Sequence, residues 1–248
     1  MKLAAQLQQS KLLYLHQGNE NLAVAENEHY RWILFDDVVQ SIMLKRVPSK
    51  LTIPHQYFMM LPLLFHVPNK IIELGLGGGN LVRYLTNILP NSEILSIEYN
   101  AQVIECFENF FNPQNIQQPI AHSSFELWLA KQKKQQRCDW LIYDIYQTDE
   151  NPQYFLKQIK RVLNKIDKNT WLTINLPDLN EHDLNIALLH LSSLKGSRMM
   201  RYFHIPYYKN IIIHLTPIDA VLSDNNSVLP HYALTRLARF WQHGMVNR

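Results

Sequence analysis

The segment IIELGLGGGN, at positions 71–80, holds the residues whose types and spacing point most directly to chemistry. An apolar run that ends in the acid Glu73 is followed by alternating glycines, Gly75, Gly77 and Gly79, and then by a helical pattern. Because glycine has no Cβ atom, the backbone of such a turn can approach a ligand closely, and the following helix presents unpaired N–H groups. The segment therefore predicts a strand, a turn and a helix that bind a nucleotide-like cofactor.

The spacing of the glycines distinguishes between classes of cofactor site. A dinucleotide fingerprint runs Gly-x-Gly-x-x-Gly, and its third glycine, counted from Gly75, would fall on Asn80. A P-loop requires Gly-Lys followed by Ser or Thr, and the sequence has no such run. The pattern acid-x-Gly-x-Gly-x-Gly is met in full. This pattern resembles that of the class I methyltransferases, which bind S-adenosylmethionine.

A second acid stands where a ribose would need it. The run EILSIEY, at 93–99, predicts the next strand, and Glu98 lies near its C-terminal end. A carboxylate there can accept hydrogen bonds from both ribose hydroxyls. The alternative is an ordinary strand-end acid that faces water. We predict that Glu98 binds the cofactor, and we assign its neighbour Tyr99 to the same site.

Strands and helices alternate from residue 70 onward. The predicted strands are 70–75, 93–99, 117–122, 139–145 and 170–176, and the predicted helices are 79–89, 100–111, 124–134, 152–164 and 179–194. The alternation predicts an α/β fold with a parallel sheet and helices on both faces. Two β-rich runs, at 198–208 and 210–217, predict a closing antiparallel pair, and 231–243 predicts a C-terminal helix. This ending resembles the class I methyltransferase sheet, which is Rossmann-like and mostly parallel with a reversed last strand.

The first 60 residues have a different pattern. The runs NLAVAEN, YRWILFDD and VVQSIMLK are short and β-prone, and polar breaks separate them. They predict a small antiparallel sheet that precedes the main domain. We therefore divide the chain into a small N-terminal β and helical region, 1–60, and a methyltransferase-type domain with a C-terminal helix, 61–248.

The order of elements in the N-terminal half narrows the resemblance. The segment LFDDVVQ, at 34–40, is followed by a predicted helix that contains Tyr57, and then by the strand and the glycine loop. This order resembles the spermidine synthase family, whose members are aminopropyltransferases built on the methyltransferase fold. The resemblance covers about residues 20–215.

The resemblance implies roles for individual residues. Gln40 matches the glutamine of the family's Leu-Asp-Gly-x-x-Gln segment, which implies a contact with the cofactor, and Tyr57 matches the tyrosine of its Tyr-His-Glu-Met segment. Glu98 matches the ribose-binding acid. Asp144, in LIYDIY, matches the first acid of Asp-Ser-x-Asp-Pro, which orients and deprotonates the attacking amine. Asp144 and Tyr57 are therefore the implied catalytic residues.

Two further positions belong to the predicted site. Tyr146, beside Asp144, is a candidate catalytic residue because its hydroxyl can hydrogen-bond that acid. Ser123, within AHSSF, stands where the family has the acid that receives the adenine amino group, so we assign it to the cofactor. The chain also departs from the family elsewhere. Gly78 replaces the acid of the glycine loop, and Gln147 replaces the second acid of the Asp-Ser-x-Asp-Pro segment.

These departures decide which group is expected to move. Decarboxylated S-adenosylmethionine has an ammonium tail and no carboxylate, and a loop acid can pair with that cation, whereas Gly78 cannot. Intact S-adenosylmethionine has a carboxylate that an acid would repel. This comparison slightly favours methyl transfer from S-adenosylmethionine to a small amine or other nucleophile. The N-terminal sheet and Gln40 favour the alternative, aminopropyl transfer to a polyamine from the decarboxylated compound. A non-catalytic relative that binds a nucleoside is a third alternative, since several of the family's carboxylates are missing.

Composition limits the partners. The net charge of +3 is small and the longest basic stretch, at 131–137, has the pattern of a solvated helix end, so nucleic acid is not an expected partner. The most apolar stretch, at 58–67, is too short to span a bilayer. Cys106, Cys138 and the 11 histidines show no metal-ligand spacing, so no metal is expected. These features predict a cytoplasmic protein with a small-molecule acceptor, and the family resemblance implies a homodimer.

Overall fold

Two β-sheets and the helices around them make up the fold. The computed structural model describes residues 3–132, 137–145, 152–176, 179–222 and 229–246. In this part of the chain one sheet has four strands and the other has eight. Helices pack on both faces of the larger sheet, which confirms the predicted α/β class. No helix within these ranges is long and apolar enough to cross a membrane.

The smaller sheet is antiparallel and lies in the N-terminal region, after the short helix α1 (Leu3–Leu7). Its strands follow one another in space as they do in sequence: β1 (Lys11–His16), β2 (Leu22–Glu26), β3 (Tyr30–Phe35) and β4 (Val38–Leu44). The last three coincide with the three β-prone runs, which confirms the predicted antiparallel region. Strand β1 was not predicted, because its exposed Leu12 and Leu15 break the alternation of buried and exposed positions. A domain boundary at residue 60 stays a prediction.

The larger sheet is built from the rest of the chain. The elements that precede and form its first half are α2 (Pro54–Met59), a 3-10 turn (Leu61–Leu64), β5 (Lys70–Leu74), α3 (Asn80–Ile88), β6 (Glu93–Glu98), α4 (Ala101–Cys106) with a π-helical turn (Phe107–Phe111), and β7 (Ile120–His122). The second half contains α5 (Phe125–Lys131), β8 (Trp140–Tyr143), α6 (Pro152–Leu163), β9 (Trp171–Leu176), α7 (Glu181–Leu194), β10 (Met199–His204), β11 (Ile211–Thr216), α8 (His231–Gln242) and β12 (Met245–Val246).

The strand order of the larger sheet is β12-β10-β11-β9-β8-β5-β6-β7. Strands β5 to β9 are parallel, whereas β11 runs antiparallel to both of its neighbours, β9 and β10. The predicted closing pair and the mostly parallel sheet with a reversed strand near its end are therefore confirmed. The two-residue strand β12 is also reversed, since it pairs antiparallel with β10. The glycine loop follows β5, in the middle of the sheet, where neighbouring parallel strands end at the same edge.

Each face of the larger sheet carries its own core. Ile71 and Trp140 pack towards the N-terminal sheet, α2, α3, α4 and α8. Ile72 and Leu74 pack towards α5, α6 and α7. Strands covered on both faces are near-continuous apolar runs, as the sequence of β5 shows. Glu73 is the polar exception in β5, and it is buried on the same face as Ile71.

A chain of buried hydrogen bonds attaches α2 to this sheet. The indole Nε1 of Trp140 donates to Thr173 Oγ1 at 2.8 Å, and that oxygen lies 2.9 Å from Nδ1 of His214. The other ring nitrogen of His214 lies 3.0 Å from the carbonyl oxygen of Phe58 in α2. Burial lowers the pKa of His214 to about 3, so the ring is neutral at neutral pH. The Thr173 hydroxyl then donates to Nδ1, and Nε2–H donates to the carbonyl.

We predict that this histidine makes the fold acid-sensitive. The unfolded chain protonates His214 near its ordinary value of 6.5 and the folded chain only near 3, so the unfolded state binds more protons between these values. The free energy of unfolding should therefore fall as pH falls from about 6.5 towards about 3. In H214Q, which keeps an N–H donor without a titrating group, this fall should be smaller. Urea unfolding at several pH values tests this, and equal pH dependence in both proteins would refute it.

Candidate functional site

The glycine loop joins β5 to α3 in left-handed backbone conformations. The φ angles are 94° at Gly75, 51° at Gly77 and 66° at Gly79. A Cβ atom at Gly75 would collide with the carbonyl oxygen of Asp144, and one at Gly79 would collide with the ring of Phe107. A Cβ at Gly77 would meet no atom within 4 Å. Two of the glycines therefore serve packing, and Gly77 is where the backbone borders open space that a ligand can occupy.

The side chain of Glu98 is hydrogen-bonded to the backbone of this loop. Its Oε2 accepts a hydrogen bond from the N–H of Leu76 at 3.0 Å, and its Oε1 accepts one from the N–H of Asn100 at 3.0 Å. Asn100 in turn caps α4 with its side chain. Each carboxylate oxygen of Glu98 keeps a second lone pair, so the pair of oxygens can still accept two ribose hydroxyls. The residues present fit a nucleoside at this place.

Tyr99 and Ser123 lie beside Glu98 at the carboxyl edge of the sheet. The side chain of Tyr99 is 62% exposed, and its carbonyl oxygen lies 3.0 Å from Nε2 of His122. Ser123 donates its N–H to the carbonyl oxygen of Glu98 at 2.9 Å, and its hydroxyl donates to the carbonyl of Ser124 at 2.9 Å. The structure brings both residues to the ends of β6 and β7. Their contacts with a cofactor stay predictions.

Glu73 lies beneath the loop, inside the sheet. It is buried, and the hydroxyl of Ser96 on β6 donates to its Oε2. Burial raises the pKa of Glu73 to about 8, and the nearby acids Asp144 and Glu98 contribute in the same direction. The carboxyl group is therefore mostly protonated at neutral pH. A direct contact between Glu73 and a cofactor stays a prediction.

Asp144 follows β8 and borders the glycine loop. Its N–H donates to the carbonyl of Leu74 at 3.0 Å, which continues the pairing of β8 with β5. Its Oδ1 accepts a hydrogen bond from Nδ2 of Asn175 at 2.7 Å, and Asn175 accepts one from Nδ2 of Asn210 at 3.1 Å. A row of two amides, near the end of β9 and just before β11, thus orients this carboxylate. Neither asparagine was predicted as a site residue, since the only signal in the sequence is their position at the edge of apolar runs.

Gln40 and Tyr57 come from the N-terminal side of the site. Gln40 is half-buried in β4, one residue before Ser41, whose side chain packs against Gly78 of the glycine loop. The hydroxyl of Tyr57 donates to the carbonyl of Leu51 at 2.8 Å, and the guanidinium of Arg236 on α8 lies 4.2 Å from the centre of its ring. The hydroxyl of Tyr57 is therefore engaged with backbone, and its catalytic role stays a prediction. Tyr146 and Gln147 lie outside the described residues.

Gly78 packs directly against β4. A Cβ atom at this position would lie 2.5 Å from Oγ and 2.8 Å from Cβ of Ser41, and 3.3 Å from the ring of Phe111. An acid cannot be accommodated here unless β4 moves. The absence of the family's loop acid therefore has a packing cause in this chain, and it gives little information about the charge of the cofactor's tail.

Two polar residues of α3 join the loop to the N-terminal sheet. Asn80 accepts a hydrogen bond from Oγ of Ser41 at 3.1 Å and donates to the carbonyl of Ile42 at 3.0 Å. Arg83 is fully buried, and its guanidinium donates to the carbonyls of Pro48 at 2.8 Å and Phe111 at 2.9 Å, to the carbonyl of Gly78 and to Asn80. Burial lowers the pKa of Arg83 to about 9, so its charge persists at neutral pH.

His55 also reaches the carboxyl edge of the sheet, and the sequence analysis did not identify it. It stands in the first turn of α2, half-buried, with its ring edge-on to that of Tyr208 at 6.4 Å between centres. Burial lowers the pKa of His55, and the charge of Asp144 opposes this effect. The ring contact with Tyr208, in the turn before β11, places His55 at the edge of the sheet where Asp144 follows β8.

We predict that Glu73 costs stability at alkaline pH. The unfolded chain releases this proton near 4.5 and the folded chain near 8, so the folded state binds more protons between these values. The stability of the wild type should therefore fall as pH rises from about 4.5 through about 8, and E73Q should remove this fall. The advantage of E73Q should grow by more than about 1 kcal/mol between about pH 5 and about pH 9, measured by urea unfolding. A constant difference between the two proteins would contradict the assignment.

The curated proteins that resemble this chain in sequence are polyamine aminopropyltransferases. No protein-family model matches the chain. It is 34% identical over 97 residues to a polyamine aminopropyltransferase of Neisseria meningitidis, which is 38% of this chain and 37% of that protein. It is 33% identical over 79 residues to a polyamine aminopropyltransferase of Chromobacterium violaceum, which is 32% of this chain and 30% of that protein. The matches thus span about a third of the length of these relatives.

Solved structures extend the likeness over most of the chain. A probable spermidine synthase from Corynebacterium glutamicum aligns with a TM-score of 0.70 at 15% identity, covering 92% of this chain and 87% of that one. Human methyltransferase-like protein 13 in complex with SAH aligns with a TM-score of 0.58 at 17% identity, covering 77% and 91%. The chain therefore has a class I methyltransferase-like fold, and it is similar in part of its sequence to polyamine aminopropyltransferases, as the resemblance predicted.

Proposed function

We propose that the chain is a transferase that moves an aminopropyl group from decarboxylated S-adenosylmethionine to a small amine. The observation that carries the proposal is the position of Asp144, whose main chain is packed against Gly75 and whose carboxylate is held by Asn175. This arrangement supports the proposal, because an oriented carboxylate suited to an amine lies next to the glycine loop. The names of the sequence relatives support the same reaction.

The chemistry of such a reaction is a displacement at a carbon bonded to a positively charged sulfur, which leaves as a neutral thioether. The protein has to align the amine, exclude water and remove a proton. An alkylammonium has no lone pair, so the nucleophile must lose one proton before it attacks. The carboxylate of Asp144 attracts the ammonium and orients it towards the cofactor loop. Glu98 accepts hydrogen bonds from the ribose hydroxyls, and Gly77, which has no Cβ atom, lets the nucleoside approach the backbone.

The packing around Gly78 removes the reason for preferring methyl transfer over aminopropyl transfer. The slight preference for methyl transfer depended on the missing acid at Gly78, and packing against Ser41 accounts for that glycine. Methyl transfer from intact S-adenosylmethionine stays a prediction without a structural observation in its favour. A homodimer and a cytoplasmic location also stay predictions.

Turnover assays with both sulfonium compounds test the proposal. The purified chain is incubated with S-adenosylmethionine or its decarboxylated form and with monoamines and diamines, and products are identified by mass spectrometry. We expect the aminopropylated amine and 5′-methylthioadenosine from the decarboxylated compound alone. Methylated amine from intact S-adenosylmethionine would overturn the proposal. So would nucleoside binding without any turnover, which would support a non-catalytic relative.

The role of Asp144 has its own test. D144N keeps the shape of the side chain and removes its charge, so kcat should fall by about 10²-fold or more. The affinity for 5′-methylthioadenosine should stay within about twofold, since the nucleoside contacts come from other residues. D219N changes an exposed aspartate and serves as the matched control. Activity of D144N equal to that of D219N would remove Asp144 from the mechanism.

A further inference from the structure

The orientation of α2 brings His55 to the edge of the sheet where Asp144 lies. The far end of α2 is fixed by the hydrogen bond between the carbonyl of Phe58 and His214, which lies within β11. The near end carries His55, whose ring packs against Tyr208. Tyr208 belongs to the turn that enters β11, two residues before Asn210. The ring of His55 therefore lies at the same edge of the sheet as the two amides that hold Asp144.

The ring of His55 has an unused nitrogen. Its Nδ1 is shielded from solvent and has no hydrogen-bond partner among the described residues. A buried polar atom without a hydrogen-bond partner is costly in a folded protein. This nitrogen is therefore a candidate to accept a hydrogen bond or a proton from a ligand. Nothing in the proposed reaction so far uses it.

The charged and titratable groups around α2 favour a neutral ring that can gain a proton. The Tyr208 ring contacts His55 from the turn before β11, and the charge of Asp144, at the end of β8, acts on the same ring. Further along α2, the guanidinium of Arg236 on α8 lies over the ring of Tyr57. The buried His214 is hydrogen-bonded to the carbonyl of Phe58. Burial keeps the pKa of His55 below its ordinary value, and the Asp144 carboxylate stabilises the imidazolium once it forms.

We propose that His55 accepts the proton that the attacking amine loses, with Asp144 orienting the amine and stabilising the imidazolium. This inference rests on the proposed function. The bound ammonium gives a proton to the neutral imidazole and becomes a free amine. Its lone pair then forms the new C–N bond while the C–S bond breaks, and that electron pair stays on sulfur. The product leaves as a secondary ammonium, and the imidazolium returns its proton to solvent.

An imidazole suits this role better than a carboxylate alone. The ordinary pKa values are about 10.4 for an alkylammonium, about 6.5 for histidine and about 3.9 for aspartate. An ordinary imidazole therefore takes the proton about 400 times more readily than an ordinary carboxylate does. Asp144 then acts as the charge that binds and orients, which is the role its hydrogen bond to Asn175 supports.

The pH dependence of H55Q tests the proposal. Glutamine keeps a polar side chain of similar length and cannot accept a proton, so kcat at neutral pH should fall by about 10²-fold. The affinity for 5′-methylthioadenosine should stay within about twofold. Activity should recover with rising pH as free amine becomes available, and added imidazole should restore part of it. H190Q, at an exposed histidine of α7, is the matched control.

The outcomes separate this inference from the proposed function. If the wild type transfers no aminopropyl group, the proposed function fails before His55 is tested. If the wild type is active and H55Q keeps its kcat and its pH profile, the inference about His55 is refuted and the proposed function stands. If H55Q loses activity at every pH without rescue by imidazole, the side chain has a structural role and the inference is also refuted.

Discussion

The buried guanidinium of Arg83 is the interaction on which the rest of the site depends. Among the described residues no carboxylate lies within hydrogen-bond distance of this guanidinium. It donates instead to the backbone carbonyls of Pro48, Gly78 and Phe111. A charge removed from water has to be compensated by fixed dipoles. Those three carbonyls belong to the segment after β4, the glycine loop and the π-helical turn that follows α4. One cation thus fixes the positions of three segments around the nucleoside loop.

The same region concentrates negative groups. Glu73, Glu98 and Asp144 all surround the loop, and their mutual repulsion together with burial keeps the first of them protonated. In the proposed reaction, Glu98 and Asp144 would lie beside a sulfonium and an ammonium, and carboxylates stabilise cations better than they stabilise an anionic nucleotide. The hydrogen bond from the N–H of Leu76 to Glu98 joins this carboxylate to the glycine loop.

Local patterns made much of this structure predictable. The glycine spacing identified the loop, and the alternation of apolar runs and helical patterns identified the parallel strands and the reversed β11. The function of Gly78 could not be predicted, because its neighbour Ser41 is distant in sequence and close only in the fold. Asn175 and Asn210 were missed for the same reason, since only the topology of the sheet brings them to Asp144. His55 was missed because its ring neighbour Tyr208 is also distant in sequence. Residue types alone also could not show that the Tyr57 hydroxyl is engaged with Leu51.

We propose that Glu98 and the glycine loop hold an adenine nucleoside by its ribose. Calorimetric titration of 5′-methylthioadenosine into the wild type, E98Q and E93Q measures this contact. Glu93 begins the strand that Glu98 ends and is exposed, so E93Q is a control on the same element. We expect E98Q to lose about tenfold or more in affinity, the value of a hydrogen bond to a charged group, and E93Q to bind as the wild type does. Equal affinity of all three proteins, with each shown to be folded by circular dichroism, would rule out this role of Glu98.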